Sequence, residues 1–190
     1  MVAEGMPAGY RFLPKPNEVA GLVLGKSTWA VIALTCHIEL FVLAHYRQSI
    51  DPDGEVSGLF KDVFLYHWKE ESQHAILDEL EWRREDAKLS PEQREQAVSD
   101  LIELVAAVDG MLQAQAAADA DYFLGVCRGP YSPEQSQRVR EGVLHAYRWQ
   151  YIVSGVEEPR FQGILDSLIS KAQGRRITEA LAPIMAGSYH

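Results

Sequence analysis

The chain has 190 residues, with 27 acidic and 18 basic side chains, a formal net charge of −9 and two cysteines. This length suits a single domain with a substantial hydrophobic core. The acidic balance, without a lysine or arginine cluster along a helix face, argues against a nucleic-acid groove, and two cysteines are too few for a disulfide framework.

Neither targeting nor membrane insertion is indicated by the sequence. The chain does not open with a charged segment followed by an apolar stretch, which is the pattern of a signal peptide. Its apolar runs are interrupted before they reach the length needed to span a bilayer. We therefore expect a cytoplasmic protein with reduced thiols and with neither a membrane nor a nucleic acid as partner.

Residues 1–26 are predicted to form an irregular arm, because glycine and proline recur along them. Apolar residues in the arm, such as Tyr10 and Phe12, indicate that it packs against the rest of the chain, and 17–24 can form a short helix. An opening of this kind is also compatible with the chain being a segment of a longer protein.

Four long segments have helical periodicity and clear ends. Ser27 is an N-cap candidate for the first, which ends at the turn Asp51-Pro52-Asp53-Gly54. The third and fourth open with Ser90-Pro91-Glu92-Gln93 and Ser132-Pro133-Glu134-Gln135, in which serine caps the helix and glutamine completes a capping box. The predicted helices cover 27–49, 57–88, 90–124 and 132–154.

The sequence predicts an all-α protein, since no segment alternates at period two. Long helices with short connections favour an up-and-down four-helix bundle over residues 27–155. Residues 156–190 are predicted to form a C-terminal extension with short helices at 161–171 and 177–185, the second weakened by Pro183.

The centre of the second helix carries the most informative pattern in the chain. At ~100° per residue, His67, Glu71, His74 and Asp78 fall within a stripe about 60° wide. Two imidazoles and a carboxylate on one face of a helix suit a transition metal such as iron. The alternatives are a polar stripe in contact with water, or a histidine hydrogen-bonded within the core.

Glu39 is the second informative residue. It lies on the apolar face of the first helix, with Cys36 one turn before it. A carboxylate on such a face is costly unless it is paired or bound to a metal. We therefore assign Glu39 to the metal site, and an ion pair with Arg148 is the alternative.

Glu39 followed by Glu71-x-x-His74 resembles half of the site in ferritin-like di-iron carboxylate proteins, where one helix gives a glutamate and the next gives Glu-x-x-His. His67-x-x-x-Glu71-x-x-His74 is also similar to the three-ligand helix of N-oxygenase-type members of that superfamily. The resemblance implies a ferritin-like four-helix bundle that binds iron, with manganese or zinc as alternatives, and often performs oxygen chemistry.

The second half of the chain departs from this pattern. Gln115 stands where the resemblance would place a glutamate, and Arg148 stands where the fourth helix should supply a ligand. The nearest substitutes are Asp119 and His145, which we include as further candidate ligands. An exposed helix edge is the alternative for Asp119. The residues expected to surround and support the ligands are Asp78, Arg148 and Tyr46.

The leading functional hypothesis is an iron- and oxygen-dependent oxidoreductase acting on a small organic substrate. The alternatives are a metal-binding sensor or store without turnover, and a helical interaction scaffold with a degenerate site. One tightly held metal per chain is expected, because few carboxylates remain to compensate a second ion. The long apolar helices are also compatible with a homodimer. The catalytic residues and the substrate are not assigned.

Overall fold

The computed structural model describes residues 7–13, 15–127 and 129–186, and these residues form helices and connections but no strand. The predicted all-α class is confirmed. Seven helices of at least nine residues occur in this part of the chain: α1 (Pro16–Leu24), α2 (Thr28–His45), α3 (Gly58–Asp86), α4 (Pro91–Val126), α5 (Pro133–Arg148), α6 (Pro159–Leu168) and α7 (Lys171–Ala186).

Two of these helices continue beyond their α-helical part. A π-helical turn, Tyr46–Ile50, extends α2. A second π-helical turn, Trp149–Val153, extends α5 and leads into a short helical turn, Ser154–Val156. The helices predicted from the sequence to end near 49 and 154 therefore reach those positions, with looser turns over their last residues.

Side-chain caps mark the starts of α3, α4, α5 and α7, whereas Ser27, the predicted cap of α2, stands at the N-cap position without a side-chain cap hydrogen bond. Ser90 and Ser132 each form the predicted capping box with the glutamine three positions later. Ser170 and Gln173 form a similar reciprocal pair, because each backbone N–H donates to the other side chain. This pair was missed in the sequence, and it explains why the last helix begins at Lys171, earlier than the predicted start at 177.

α2 is the central helix of the fold. It packs along α3 and α4 and also contacts α6 and the turn Ser154–Val156. Half of its 18 residues are buried, which is typical of a helix surrounded by other helices. Elsewhere α4 packs along α5, and α7 packs on α4.

One end of the molecule is fixed by a buried tryptophan pair and an ion pair. Trp29 and Trp82 are fully buried, with ring centroids 5.1 Å apart. The Trp29 indole N–H donates to Asp86 over 2.9 Å, and Arg94 donates to both carboxylate oxygens of the same aspartate over 2.8 Å. These contacts join the start of α2, the end of α3 and the start of α4. Phe161 of α6 stacks on Trp82, so the C-terminal helices share this core.

α3 differs from the other long helices in its surroundings. Within the described ranges it packs on α2 and α6 and makes no extensive contact with α4 or α5. Three of its 29 residues are buried. One long side of α3 therefore faces no other helix of the described chain.

Two helices of the described chain are long and apolar enough to cross a membrane, Thr28–Ile50 and Pro91–Val126. This is weak evidence, because the core helix of a soluble protein can be equally long and apolar. The cellular location stays a prediction.

Candidate metal centre

Two packed helices bring three of the predicted ligands together. Glu39 of α2 and Glu71 and His74 of α3 each offer a ligand atom, and these atoms lie within 4.8 Å of one another. The grouping arises because α2 and α3 pack along each other and because residues three positions apart on a helix share a face.

Glu71 lies at the centre of the site. One of its carboxylate oxygens is 2.7 Å from Nδ1 of His74, and the other is 3.1 Å from Nδ1 of His67. His67 and Glu71 form a second candidate ligand group together with Glu70. Glu71 belongs to both groups. A single ion beside α3 could therefore approach His67, Glu70, Glu71 or His74.

The two glutamates of the site interact with each other, and their pKa values are shifted in opposite directions. Burial, together with the hydrogen bond to Glu71 and the negative charge of Glu71, raises the pKa of Glu39 to about 8. Burial also raises the pKa of Glu71, but hydrogen bonds from Glu39 and His74 outweigh it and lower that pKa. The hydrogen bond to Glu71 raises the pKa of His74. Protons thus compensate the negative charge of the site, and a bound cation could take their place.

Asp78 adds a further carboxylate one turn beyond His74. Its Oδ2 atom is buried and has no hydrogen-bond partner. Burial raises the pKa of Asp78, while the positive charge of His74 opposes this and the negative charge of Glu71 adds to it. The predicted position of Asp78 beside the ligands therefore agrees with its electrostatic contacts.

The site is open to solvent on the histidine side. The side chain of Glu71 is 13% exposed, whereas those of His67 and His74 are 43% and 48% exposed. Glu39 and Glu71 line the inner side of the site, and the imidazoles line its outer edge. A metal held here would keep coordination positions that face solvent.

The donor set fits a divalent transition metal. Carboxylate and imidazole ligands suit iron, manganese and zinc. The unpartnered oxygen of Asp78 and the raised pKa of Glu39 beside Glu71 both indicate a concentration of carboxylates that a cation would compensate. These properties belong to the residues themselves and do not identify the metal.

Arg148 is engaged elsewhere. Its guanidinium donates two hydrogen bonds to Asp109 of α4, from Nε over 2.7 Å and from a terminal nitrogen over 2.8 Å. Both side chains are largely buried. The alternative ion pair of Arg148 with Glu39 is therefore not found. Arg148 was also expected to support the ligands, but its guanidinium binds Asp109 instead.

Gln115 and Asp119 join the N-terminal arm to the helices. The Gln115 side chain accepts from the Leu13 N–H over 2.6 Å and donates to the Arg11 carbonyl and to Asp119. Asp119 also accepts a hydrogen bond from the Tyr147 hydroxyl. The structure does not bring Asp119 into either ligand group. The described part of the arm thus contacts the helices through these hydrogen bonds and through Tyr10, whose ring centroid lies 5.4 Å from that of Tyr122, whereas Phe12 is 67% exposed.

His145 and Tyr46 also lie apart from the ligand groups. His145 lines a cavity of about 500 Å³ that His45 also lines. The Tyr46 hydroxyl donates to Asp51 over 3.4 Å. Of the six predicted ligands, the structure brings together Glu39, Glu71 and His74, with His67 against Glu71.

Comparison of the chain with protein-family models, with curated proteins and with solved structures finds no match. The interpretation of the site therefore depends on its own geometry. The ferritin-like resemblance stays a proposal.

A large cavity lies on another side of α2. It has a volume of about 750 Å³ and is lined mainly by apolar side chains of α2, α4, α6 and α7, such as Leu34, Val105 and Ile184. His37 lines this cavity. His37 and Glu39 are two positions apart, so their side chains leave α2 in directions that differ by ~200°. The candidate ligands do not line this cavity, so α2 separates the two features.

Glu70 is the site residue that the sequence analysis missed. It joins His67 and Glu71 in the second ligand group, and one of its oxygens lies 3.8 Å from Nε2 of His74. The spacing of the sequence could have indicated this residue, since Glu70 is three positions after His67 and four before His74 and therefore lies near both on the helix. Its side chain is 63% exposed, which makes it a member of the outer edge of the site.

Proposed function

We propose that this protein is a ferritin-like metalloprotein that binds iron at Glu39, Glu71 and His74 and acts as an oxygen-dependent oxidoreductase on a small organic substrate. The observation that supports the proposal is the convergence of a glutamate from α2 with Glu-x-x-His from α3. The same spacing carries the resemblance to ferritin-like proteins, and the all-α fold agrees with it. The four-helix bundle implied by the resemblance is part of this proposal; in its support, α2 packs along α3 and α4 packs along α5.

Each residue has a distinct part in this proposal. Bound iron would supply a centre that exchanges electrons with oxygen. Glu39 and Glu71 balance the charge of a divalent ion, and His74 holds Glu71 in place through its hydrogen bond. His67 and Glu70 border the open side, where a proton can be exchanged with solvent or with a bound organic molecule.

The test is anaerobic loading of the purified protein with ferrous ion. We expect one tightly held iron per chain after desalting, and uptake of oxygen when air is admitted. Uptake should be absent in Glu71→Gln, which keeps the size of the side chain but removes its charge. A wild-type protein that retains no iron, manganese or zinc would overturn the proposal. Two tightly bound metals per chain would mean that α4 or α5 supplies ligands after all.

A metal-binding protein without turnover is the second candidate function. It is favoured by the half-exposed histidines and by the position of the 750 Å³ cavity away from the ligands. Metal retention without oxygen uptake, by protein loaded with ferrous ion, would select this candidate over the first.

His74→Ala is expected to weaken ferrous binding more than His67→Ala. His74 belongs to the group that contains both buried glutamates, whereas His67 contacts Glu71 from the outer edge. Loss of a residue that only orients a ligand typically costs about 10–100-fold in affinity, and we expect His67→Ala within that range and His74→Ala beyond it. Equilibrium titration with ferrous ion measures both.

His145→Ala is the matched control, because His145 lies in the smaller cavity and should leave the affinity unchanged. The reverse order of the two α3 histidines would favour a mononuclear site centred on His67 over a ferritin-like one.

Metal affinity is expected to rise with pH between 6 and 8. The pKa of Glu39 and the pKa of His74 are both raised in the free protein. At a pH below its pKa each side chain is protonated, and it must lose that proton to bind a metal. Calorimetric titration in two buffers of different ionisation enthalpy should show about one proton or more released per metal at pH 7. Affinity that stays constant over this range would contradict the arrangement of the two glutamates.

A further inference from the structure

The side of α3 that faces no other helix of the described chain carries large apolar residues towards both ends of the helix. Leu59, Val63, Tyr66, Leu77 and Leu80 are each between 56% and 76% exposed. Single exposed apolar residues are ordinary, but several large ones in a row on one helix face mark an interaction surface. This row runs along most of the helix.

The row follows a coiled-coil spacing. With Glu70 and Gln73 at its centre, its positions are separated by alternating steps of four and three residues, which is the a/d pattern of a helix that pairs with another helix. We call this set the α3 seam, and it consists of Leu59, Val63, Tyr66, Glu70, Gln73, Leu77 and Leu80.

The order of residues in the seam is apolar, polar, apolar. A second α3 placed antiparallel and centred between Glu70 and Gln73 brings Val63 opposite Leu80 and Tyr66 opposite Leu77. At the centre Glu70 of each copy then meets Gln73 of the other, whose amide can donate to the carboxylate. A parallel pairing would instead place Glu70 against Glu70, which is repulsive.

We propose that two copies of this chain associate through the α3 seam, with the two α3 helices antiparallel about a two-fold axis between Glu70 and Gln73. The proposal goes beyond metal binding and does not depend on it. The same surface patch serves both copies, as a two-fold interface requires.

Charge and size support a second copy as the occupant. In this register Asp62 of each copy lies beside Arg83 of the other, next to the ends of the seam; both residues are exposed, and Arg83 also pairs with Glu79 of its own helix. A helix of 29 residues is ~43 Å long, a length over which an interface of about 800 Å² per partner is reasonable. A membrane surface would give Glu70 and Gln73 no partners, whereas a second copy pairs them.

Association in this way would also change the surroundings of the candidate metal centre. His67 and His74 border the seam on the α3 surface, and both are half exposed in the single chain. A second copy over the seam would reduce the contact of this edge with water. The two inferences are tested separately, because association can be measured without metal.

Thiol cross-linking tests the register. Val63→Cys and Leu80→Cys are made separately in a Cys127→Ser background; Cys36 is buried, which raises the pKa of its thiol to about 12 and keeps it unreactive. In the proposed pairing the two copies of position 63 are ~26 Å apart along the helices. We expect no cross-linked dimer from either variant alone and a cross-linked dimer from their mixture. Self-cross-linking of Val63→Cys would overturn the antiparallel pairing.

Sedimentation measures association itself. We expect wild-type protein to be a dimer at micromolar concentration, and Leu77→Glu to dissociate at least tenfold more readily. Leu24→Glu is the matched control, since Leu24 of α1 is 84% exposed and lies outside the seam. Circular dichroism checks that both variants keep their helices. A wild-type monomer at these concentrations, or a Leu77→Glu dimer as tight as wild type, would overturn the proposal.

Discussion

Glu71→Ala and His74→Ala are each expected to abolish metal retention while the helix content of the protein persists. Glu71 contacts His67, His74 and Glu39, so its removal takes away the group that all other candidate ligands share. Elemental analysis after desalting gives the metal content, and circular dichroism gives the helix content.

The free protein should tolerate the loss of Glu71 well. Burial, together with Glu71, raises the pKa of Glu39 to about 8, so folding at neutral pH carries the cost of protonating Glu39, and the loss of Glu71 relieves part of that cost. We therefore expect the metal-free Glu71→Ala protein to unfold at a denaturant concentration no lower than metal-free wild type. Glu70→Ala is the control, because Glu70 is exposed and belongs only to the outer group. Wild-type metal content in Glu71→Ala or in His74→Ala would exclude the assigned site.

The parts of the site that lie on one helix could be predicted from the sequence. The i, i+3 and i, i+4 relations among His67, Glu71 and His74 are fixed by helix geometry alone. Glu39 could be added because a carboxylate on an apolar face needs a partner. Its actual neighbours follow from the packing of α2 on α3, which the apolar pattern of both helices favours.

The parts that depend on long-range packing could not be predicted. Gln115 was considered only as a missing glutamate, yet it holds the N-terminal arm through hydrogen bonds to Leu13 and Arg11. These partners lie about a hundred positions away in the sequence, and no local pattern indicates them. The same holds for Asp119 and Tyr147, which face each other only because α4 and α5 are antiparallel neighbours.

The helix boundaries show a similar division. Caps formed within four residues, such as those at Ser90 and Ser132, could be read directly, and the pair Ser170 and Gln173 obeys the same rule without a proline to mark it. The neighbours of α3 follow no such rule. Its short connection to α4 suggests adjacency along the whole length, but in the described chain the two helices separate after the buried contact of Asp86 with Arg94.

Arg148→Met is expected to destabilise the protein by about 3 kcal/mol without changing its metal content. The substitution removes the cation that binds Asp109 through two hydrogen bonds, and the remaining Gln113 amide is a weaker partner for a buried carboxylate. Breaking a buried ion pair by removing one partner typically costs about 3–5 kcal/mol. The lower end of this range applies because the side chains of Arg148 and Asp109 are still 16% and 11% exposed. Denaturant unfolding measures the change.

The double variant Arg148→Met, Asp109→Asn separates the two roles that Arg148 could have. If its function is to neutralise Asp109, removal of that charge should restore part of the lost stability, because no unpaired carboxylate remains buried. Metal content should stay at the wild-type level in both variants, since neither Arg148 nor Asp109 belongs to the ligand groups. A loss of metal with unchanged stability would instead place Arg148 beside Glu39 and Glu71, as the sequence pattern first predicted.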